Sequence, residues 1–407
     1  GMVVGLIVGA IVGPQIATTW LKPFGDIFIR LIRMLVVPLV FVSLAVGAAS
    51  LGDITRLGRI GGKILGLYIG TTLIAATVGI TLGNIIQPGA GLAKEGLKAP
   101  EVAKAPTWGD FLVNLFPVNP VDAMTRADML QIIIFALFFG VAMAMVGDRA
   151  HGLRSIFEQA NDVILRLVRI VMAYAPIGVA ALMAWVAAVV GLNVLIPLAK
   201  YVVGVIIGVF LHGAIIYSLI VWAIGGVNPV RFFRNAIDFM LVAFTTASSA
   251  ATLPVNMQTA ERKMGVSRSI YGFTLPLGAT INMDGTAIYM GLATVLIAQF
   301  YGIALTVEQQ FAVIITATLA SIGAAGVPGA GLIMMSLVLA AVGLPLEGIA
   351  IIAGVDRIPD MFRTTLNTVG DAANTIAVAR TEGMLDKEIF YGRKVVAETA
   401  EAAPQVA

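Results

Sequence analysis

The chain has 407 residues, of which 59% are hydrophobic and 12% charged, with a mean hydropathy of +0.96. A soluble domain is about a quarter charged, so this composition excludes one and predicts a polytopic membrane protein. The net charge of +3 gives no footing for a nucleic-acid partner, and the absence of cysteine excludes a disulfide framework, thiol chemistry and a cysteine metal site.

Apolar stretches predict spans at 2–19, 27–50, 62–86, 111–146, 163–190 and 197–225. The fourth is too long for one helix and is interrupted by Pro117-Val118-Asn119-Pro120, so several helical pieces are expected there. Beyond Arg231 the pattern changes. Ala236–Ala247 and Ala250–Gln258 are apolar arms too short to span. They meet at Ser248-Ser249-Ala250-Ala251-Thr252-Leu253-Pro254, which predicts a re-entrant hairpin (233–262) with a serine tip. Phe311–Ile322 and Gly331–Val342 repeat the theme in a second hairpin (309–343), with Gly323–Gly331 as its tip. Unpaired backbone at such tips is tolerated only in protein or around a water-filled site.

A seventh span is expected at 269–300, broken at Gly278-Ala279-Thr280-Ile281-Asn282-Met283-Asp284-Gly285-Thr286. Glycine and asparagine weaken the helix there. A bare carboxylate in hydrocarbon is so costly that Asp284 must face protein, water or a cation. An eighth follows at 348–379, with Pro359 expected to kink it between Asp356 and Asp360. Each hairpin thus precedes a polar-striped helix, an internal repeat of the kind that marks transporter binding sites. The fold expected is all-α, with about eight transmembrane helices, two re-entrant hairpins and inverted repeats.

Loop charge gives the orientation. Arg56, Arg59 and Lys63, then Arg231 and Arg234, then Arg262, Lys263 and Arg268 mark cytoplasmic loops. Hairpin one then enters from the cytoplasm and hairpin two from outside. Both termini are expected in the cytoplasm, with 381–407 a polar tail.

On the last helix, at about 100° per residue from Asp356, Asp360 lies at about 40°, Arg363 at about 340°, Asn367 at about 20°, Asp371 at about 60° and Thr364 at about 80°. Asp356, Asp360, Arg363, Asn367 and Asp371 therefore fall in about 80° of arc on an otherwise apolar helix, with Thr364 close by. The planar fork of Arg363 suits a carboxylate held at two points, and Asp360 suits an ammonium. Together they describe an amino acid with an acidic side chain. Asn367, Asp371 and Asp284 offer oxygens to a hard monovalent cation. Counting Asp284, Asp356, Asp360 and Asp371 against Arg357 and Arg363 leaves two excess negative charges, which invites cations or protons without choosing between them. His212 is read as a helix-packing residue, and no nucleophile–base pair or histidine cluster points to an enzyme.

Ser248–Pro254, Leu275–Thr286 (LPLGATINMDGT), Ser321–Gly331 (SIGAAGVPGAG) and Asp356–Asp371 (DRIPDMFRTTLNTVGD) resemble the glutamate transporter family, the dicarboxylate/amino acid:cation symporters. The resemblance spans nearly the whole chain. It implies sodium-coupled symport of L-aspartate or L-glutamate in the cell membrane, with no organic cofactor. The alternative is a proton-coupled glutamate or C4-dicarboxylate symporter of the same fold. It further implies a homotrimer and an elevator motion. Residues 1–60 and 110–195 would form the scaffold, and 61–109 and 196–380 the transport domain, with hairpin two as the outer gate.

Residue by residue, the resemblance implies that Arg363 binds the side-chain carboxylate and Asp360 the amino group. Thr364, Asn367, Thr286, Ser248, Ser249, Val327 and Gly331 would complete the substrate shell. One sodium would use Asp371, Gly278, Asn282 and Asn367. A second would use Thr280, Met283, Ser321, Ile322 and Ala324, and a third Asp284, Asn282, Tyr68, Thr71 and Thr72. The chain departs from the family at Ala247 and Met361, where relatives often carry a second arginine; Arg357 lies one turn away from the latter.

Overall fold

The computed structural model describes residues 2–49, 54–90, 113, 116–126, 128–190, 195–322 and 329–394. Among these there is no strand, only an isolated bridge between Val266 and Leu385. Among the described residues four helical stretches are long and apolar enough to cross a membrane: Arg59–Ile86, Ile134–Ile164, Leu195–Ile224 and Arg268–Phe300. The last long helix is missing from that set because its polar stripe lowers its hydropathy.

Helix α1 (Met2–Ile11) stops at Gly13-Pro14, and the chain re-enters helix through Pro14 and a π-helical turn into α2 (Lys22–Ala49). The boundary expected between 19 and 27 is therefore earlier: Pro14 cannot continue the first helix but opens the next. Helices α3 (Ile54–Ile86), α4 (Pro120–Arg126) and α5 (Met129–Val146) follow, the last capped by Asp128. Then comes α6 (His151–Val190), which begins 12 residues before the expected 163. Its first turns carry charges such as Arg154 and Glu158, paired at i,i+4, so they are helical without being apolar. Helix α7 (Leu195–Leu211) runs on through π-helical turns at His212–Tyr217 and Ile220–Ile224.

Hairpin one is α8 (Pro229–Thr246) and α9 (Ser249–Arg262). The Asn228 side chain accepts from the Val230 and Arg231 amides, and Pro229 takes the first helical position, so α8 starts earlier than the apolar pattern indicated. The expected serine tip shrinks to Ala247-Ser248. Ala247 is left-handed (φ 50°), and Ser248 caps α9 on the Ala251 amide, so Ser249 to Pro254 are helical. A non-glycine residue in that region costs about 1–2 kcal/mol.

The broken seventh helix is α10 (Arg268–Ile281) and α11 (Asp284–Phe300), parted at Asn282-Met283 as the sequence indicated. Hairpin two is α12 (Val307–Ile322) and α13 (Ala330–Ala341). Ala324 and Val327 lie outside the described residues. The eighth helix is not one kinked rod. It divides into α14 (Ile349–Ala353) and α15 (Arg357–Thr381) at Gly354–Asp356. Pro359 sits in the first turn of α15, where its missing N–H has no partner to lose.

Helix α2 packs between α5 and α6, and α1 lies on α6. A second group forms around α11, buried except at Gln299, with α3, α7, α12 and α15 against it. Hairpin one and α10 pack on α15. Contacts of α13 with α2 and of α14 with α6 join the groups.

The expected polar tail is docked over its first residues. Asp386 donates its amide to Gly265 and opens α16 (Lys387–Phe390). Phe390 is fully buried. Asn235 Nδ2 bonds the carbonyls of Lys263 (2.9 Å) and Phe390 (3.0 Å), Arg231 donates to the Tyr391 carbonyl (3.2 Å), and Lys387 to the Gly226 carbonyl (2.7 Å). This segment ties both feet of hairpin one to the end of the sixth span. Glu382, pairing with Arg59 and with Lys63 (2.7 Å), joins the end of α15 to α3 at the same end of the molecule.

Candidate functional site

The buried charges among the described residues are Asp284, Asp356, Asp360, Asp371 and Arg363. Arg357 is excluded from them. It is exposed and donates to the Thr245 carbonyl at 3.4 Å. The sequence count of two excess carboxylates is therefore one too low.

The first cluster centres on Arg363. Its Nε donates to Asp360 Oδ1 at 2.9 Å, and Nη1 and Nη2 to the two oxygens of Asp356 at 3.0 and 3.4 Å. The guanidinium lies 4.2 Å over the Tyr289 ring, a cation–π contact strengthened by burial. Tyr289 meets Tyr201 edge-on at 6.2 Å. Hairpin two closes the cluster from the other side. The Gly329 amide donates to Asp360 Oδ2 at 3.2 Å, and a Cβ on Gly331 would stand 2.9 Å from the guanidinium. Thr364 donates to Asp360 Oδ1 at 3.4 Å. The stripe placed Asp356 on this arc but gave it no role. It holds Arg363 because the two share one helix face two turns apart and the arginine side chain leans back towards the N-terminal end.

The second cluster lies two turns on. Asn282 Nδ2 donates to Asp371 Oδ1 (3.0 Å) and to the Asn367 carbonyl (3.2 Å). Gly278 faces them. A Cβ there would meet Asp371 Oδ1 at 2.5 Å and the Tyr68 hydroxyl at 2.6 Å, so only glycine leaves room. The structure thus brings together Asp371, Gly278, Asn282 and Asn367. Asn367 also accepts from the Gly285 amide (2.8 Å) and donates to Met283 Sδ (3.1 Å) and Thr286 Oγ1 (3.4 Å).

In the third cluster Asp284 is wholly buried. Its Oδ1 takes the Thr72 hydroxyl at 2.6 Å; its Oδ2 takes the Tyr217 hydroxyl at 2.6 Å and lies 3.0 Å from His212 Nε2. Thr72 also reaches the Tyr68 carbonyl at 2.7 Å, and Thr71 reaches that carbonyl at 3.1 Å or Asn282 Oδ1 at 3.4 Å. A hydroxyl has one proton. With both protons turned to Tyr68 O, the lone pairs of Thr71 and Thr72 stand beside the oxygens of Asn282 and Asp284, a donor set for a hard cation. His212 is therefore more than the packing residue the sequence indicated. Its signal was an imidazole in an otherwise apolar span.

The remaining expected residues are less gathered. Thr280 is exposed and donates to the Leu277 carbonyl, Ser321 donates to the Thr318 carbonyl, and Ile322 ends α12. Among the described residues no hydrogen bond joins these to Met283. Ser248 is engaged as a cap, and Ser249 is buried beside it.

A family model described as the sodium:dicarboxylate symporter family matches residues 1–381. The chain is 35% identical over 419 residues to the proton/sodium-glutamate symport protein of Geobacillus stearothermophilus, covering 99% of this chain and 97% of that one. It is 36% identical over 399 residues to the proton/glutamate-aspartate symporter of Escherichia coli (strain K12), covering 95% and 91%. It is 34% identical over 396 residues to the C4-dicarboxylate transport protein of Bacillus subtilis (strain 168), covering 95% and 93%.

Proposed function

The chain belongs to the sodium:dicarboxylate symporter family and is a cation-coupled membrane symporter, and we propose that it carries L-aspartate or L-glutamate with sodium as the coupling ion. The observation that carries this reading is the pairing of Arg363 with Asp360 beside two further carboxylate clusters. Among the described residues four buried aspartates are set against one buried arginine. A zwitterion with an acidic side chain adds one net negative charge, so the loaded site needs several cations to approach neutrality.

Among the described residues Arg363 donates three of its five N–H groups. A substrate carboxylate gripped at two points takes the free N–H of Nη2 and competes with Asp360 for Nε. The substrate ammonium then compensates Asp360. That exchange also competes with the Gly329 amide, which links substrate binding to the end of hairpin two. Thr364, Asn367, Thr286 and Gly331 border the same space. Cations at the Asp371 and Asp284 clusters offset the remaining charge. We assign the α1, α2, α5 and α6 group to a scaffold. The group around α11 is the moving unit of an elevator, with hairpin two as the gate, working as a homotrimer with both termini in the cytoplasm.

The name of the Bacillus subtilis relative supports a second reading, a C4-dicarboxylate carrier. Competition separates the two. In proteoliposomes, a hundredfold excess of succinate leaves labelled aspartate uptake nearly unchanged if Asp360 reads an ammonium. Succinate competing as well as unlabelled aspartate favours the second reading.

A further inference from the structure

We infer that His212 and Tyr217 of the sixth span are positioning residues of the Asp284 cation site: together they hold one carboxylate oxygen so that the other is presented to the third span. The inference rests on the reading of Asp284 as a cation ligand.

The two residues are five apart. On an α-helix such side chains diverge by about 140° and could not reach one atom. The chain adopts a π-helical turn over His212–Tyr217, and i→i+5 bonding brings positions five apart back towards one face. Both polar groups then converge on Asp284 Oδ2, at 2.6 Å for Tyr217 and 3.0 Å for His212, with the two rings edge-on at 5.1 Å. Single π turns inside α-helices are frequent at functional sites. A steric condition is met across the interface. Gly370 of α15 lies against the Tyr217 hydroxyl, and a Cβ there would clash with it, so the hydroxyl passes only because that residue is glycine.

The consequence is a carboxylate with two different edges. Oδ2 is committed to the sixth span. Oδ1 faces Thr72, whose proton has an alternative acceptor in the Tyr68 carbonyl. Only the Oδ1 edge can exchange a hydrogen bond for a cation without leaving a donor stranded. Were Asp284 free to rotate about its side-chain torsions, it could turn Oδ1 away from Asn282 and Thr71, and the cation would lose its charged ligand.

The test measures aspartate uptake into proteoliposomes against sodium concentration at constant pH, with substrate affinity measured separately at saturating sodium. Tyr217→Phe and His212→Leu each raise the sodium concentration for half-maximal uptake about tenfold, while aspartate affinity at saturating sodium moves less than twofold. His212→Gln, whose amide nitrogen can stand in for Nε2, restores sodium dependence to within about threefold. A merely structural role would lower thermal stability in all three variants without that split, and would overturn the inference. Asp284→Asn is the control. If it leaves sodium dependence unchanged, the reading of Asp284 as a cation ligand fails. If it shifts sodium dependence and His212→Leu and Tyr217→Phe do not, the positioning role alone fails.

Discussion

Hairpin one and hairpin two read alike in the sequence, each a pair of short apolar arms around small residues, yet the structure uses them differently. Hairpin one is held at its feet. Asn235, Arg231 and the buried Phe390 clamp it to the docked C-terminal segment. Its tip is sealed by a left-handed Ala247 and the Ser248 cap. Hairpin two instead meets charge at its end, where Gly329 bonds Asp360 and Gly331 lies against the guanidinium of Arg363. Similar local patterns therefore give an anchored element and a charge-reading one. The difference comes from what each is packed on and from the few residues at its tip, a capping Ser248 in one and the close-packed Gly331 in the other.

The largest expected effect comes from removing the charge under hairpin two. Arg363→Ala leaves Asp356 and Asp360 facing each other without compensation. The substrate carboxylate also loses its partner, and truncating one side of a buried charge pair costs about 2–5 kcal/mol of binding, so aspartate binding, measured by calorimetry in sodium, falls by about a hundredfold or more. Unchanged affinity would remove the distinction between the hairpins.

Removing the anchor under hairpin one should act on stability instead. Phe390→Ala deletes a fully buried ring, at a cost of about 3 kcal/mol. Thermal unfolding of the purified protein shifts down accordingly, with aspartate affinity changed less than tenfold. A larger loss of affinity than for Arg363→Ala would invert the comparison.

The smallest effect is one of pH. The Glu382 carboxylate is held below its usual range by hydrogen bonds from Lys63 and Arg59, and that of Asp386 chiefly by the bond from Lys394. Groups with depressed folded values stabilise above the ordinary carboxylate pKa of about 4, and the contribution is lost as pH falls through the lower folded values. The hydrogen-exchange protection factors of residues 384–394, corrected for the intrinsic pH dependence of exchange, should therefore fall below about pH 4 and be flat above about pH 6. Release on raising the pH would contradict the assignment.

Much of this was legible before the structure. The helix break at Asn282, the gathering of Asp360, Arg363, Asn367 and Asp371 on one arc, and the two hairpins follow from periodicity and from the cost of polar groups in hydrocarbon. Other features were hidden for physical reasons. The extent of α6 was missed because its first turns are charged, and α8 because its start is set by the Asn228 cap rather than by apolar residues. The role of Asp356 depends on the direction in which the Arg363 side chain leans, back over two turns, which the period alone does not give. The convergence of His212 and Tyr217 requires a π turn that an α-helical wheel places on the wrong faces. The docking of Phe390 is a long-range contact in a segment whose own composition is polar.

The central claim is that buried acidic groups are neutralised by transported cations together with a zwitterion. It is tested most directly by labelled aspartate uptake into proteoliposomes under an imposed sodium gradient at equal pH, and under an imposed pH gradient without sodium. The account predicts concentrative uptake in the first and none in the second. Uptake driven by the pH gradient in the absence of sodium would contradict it.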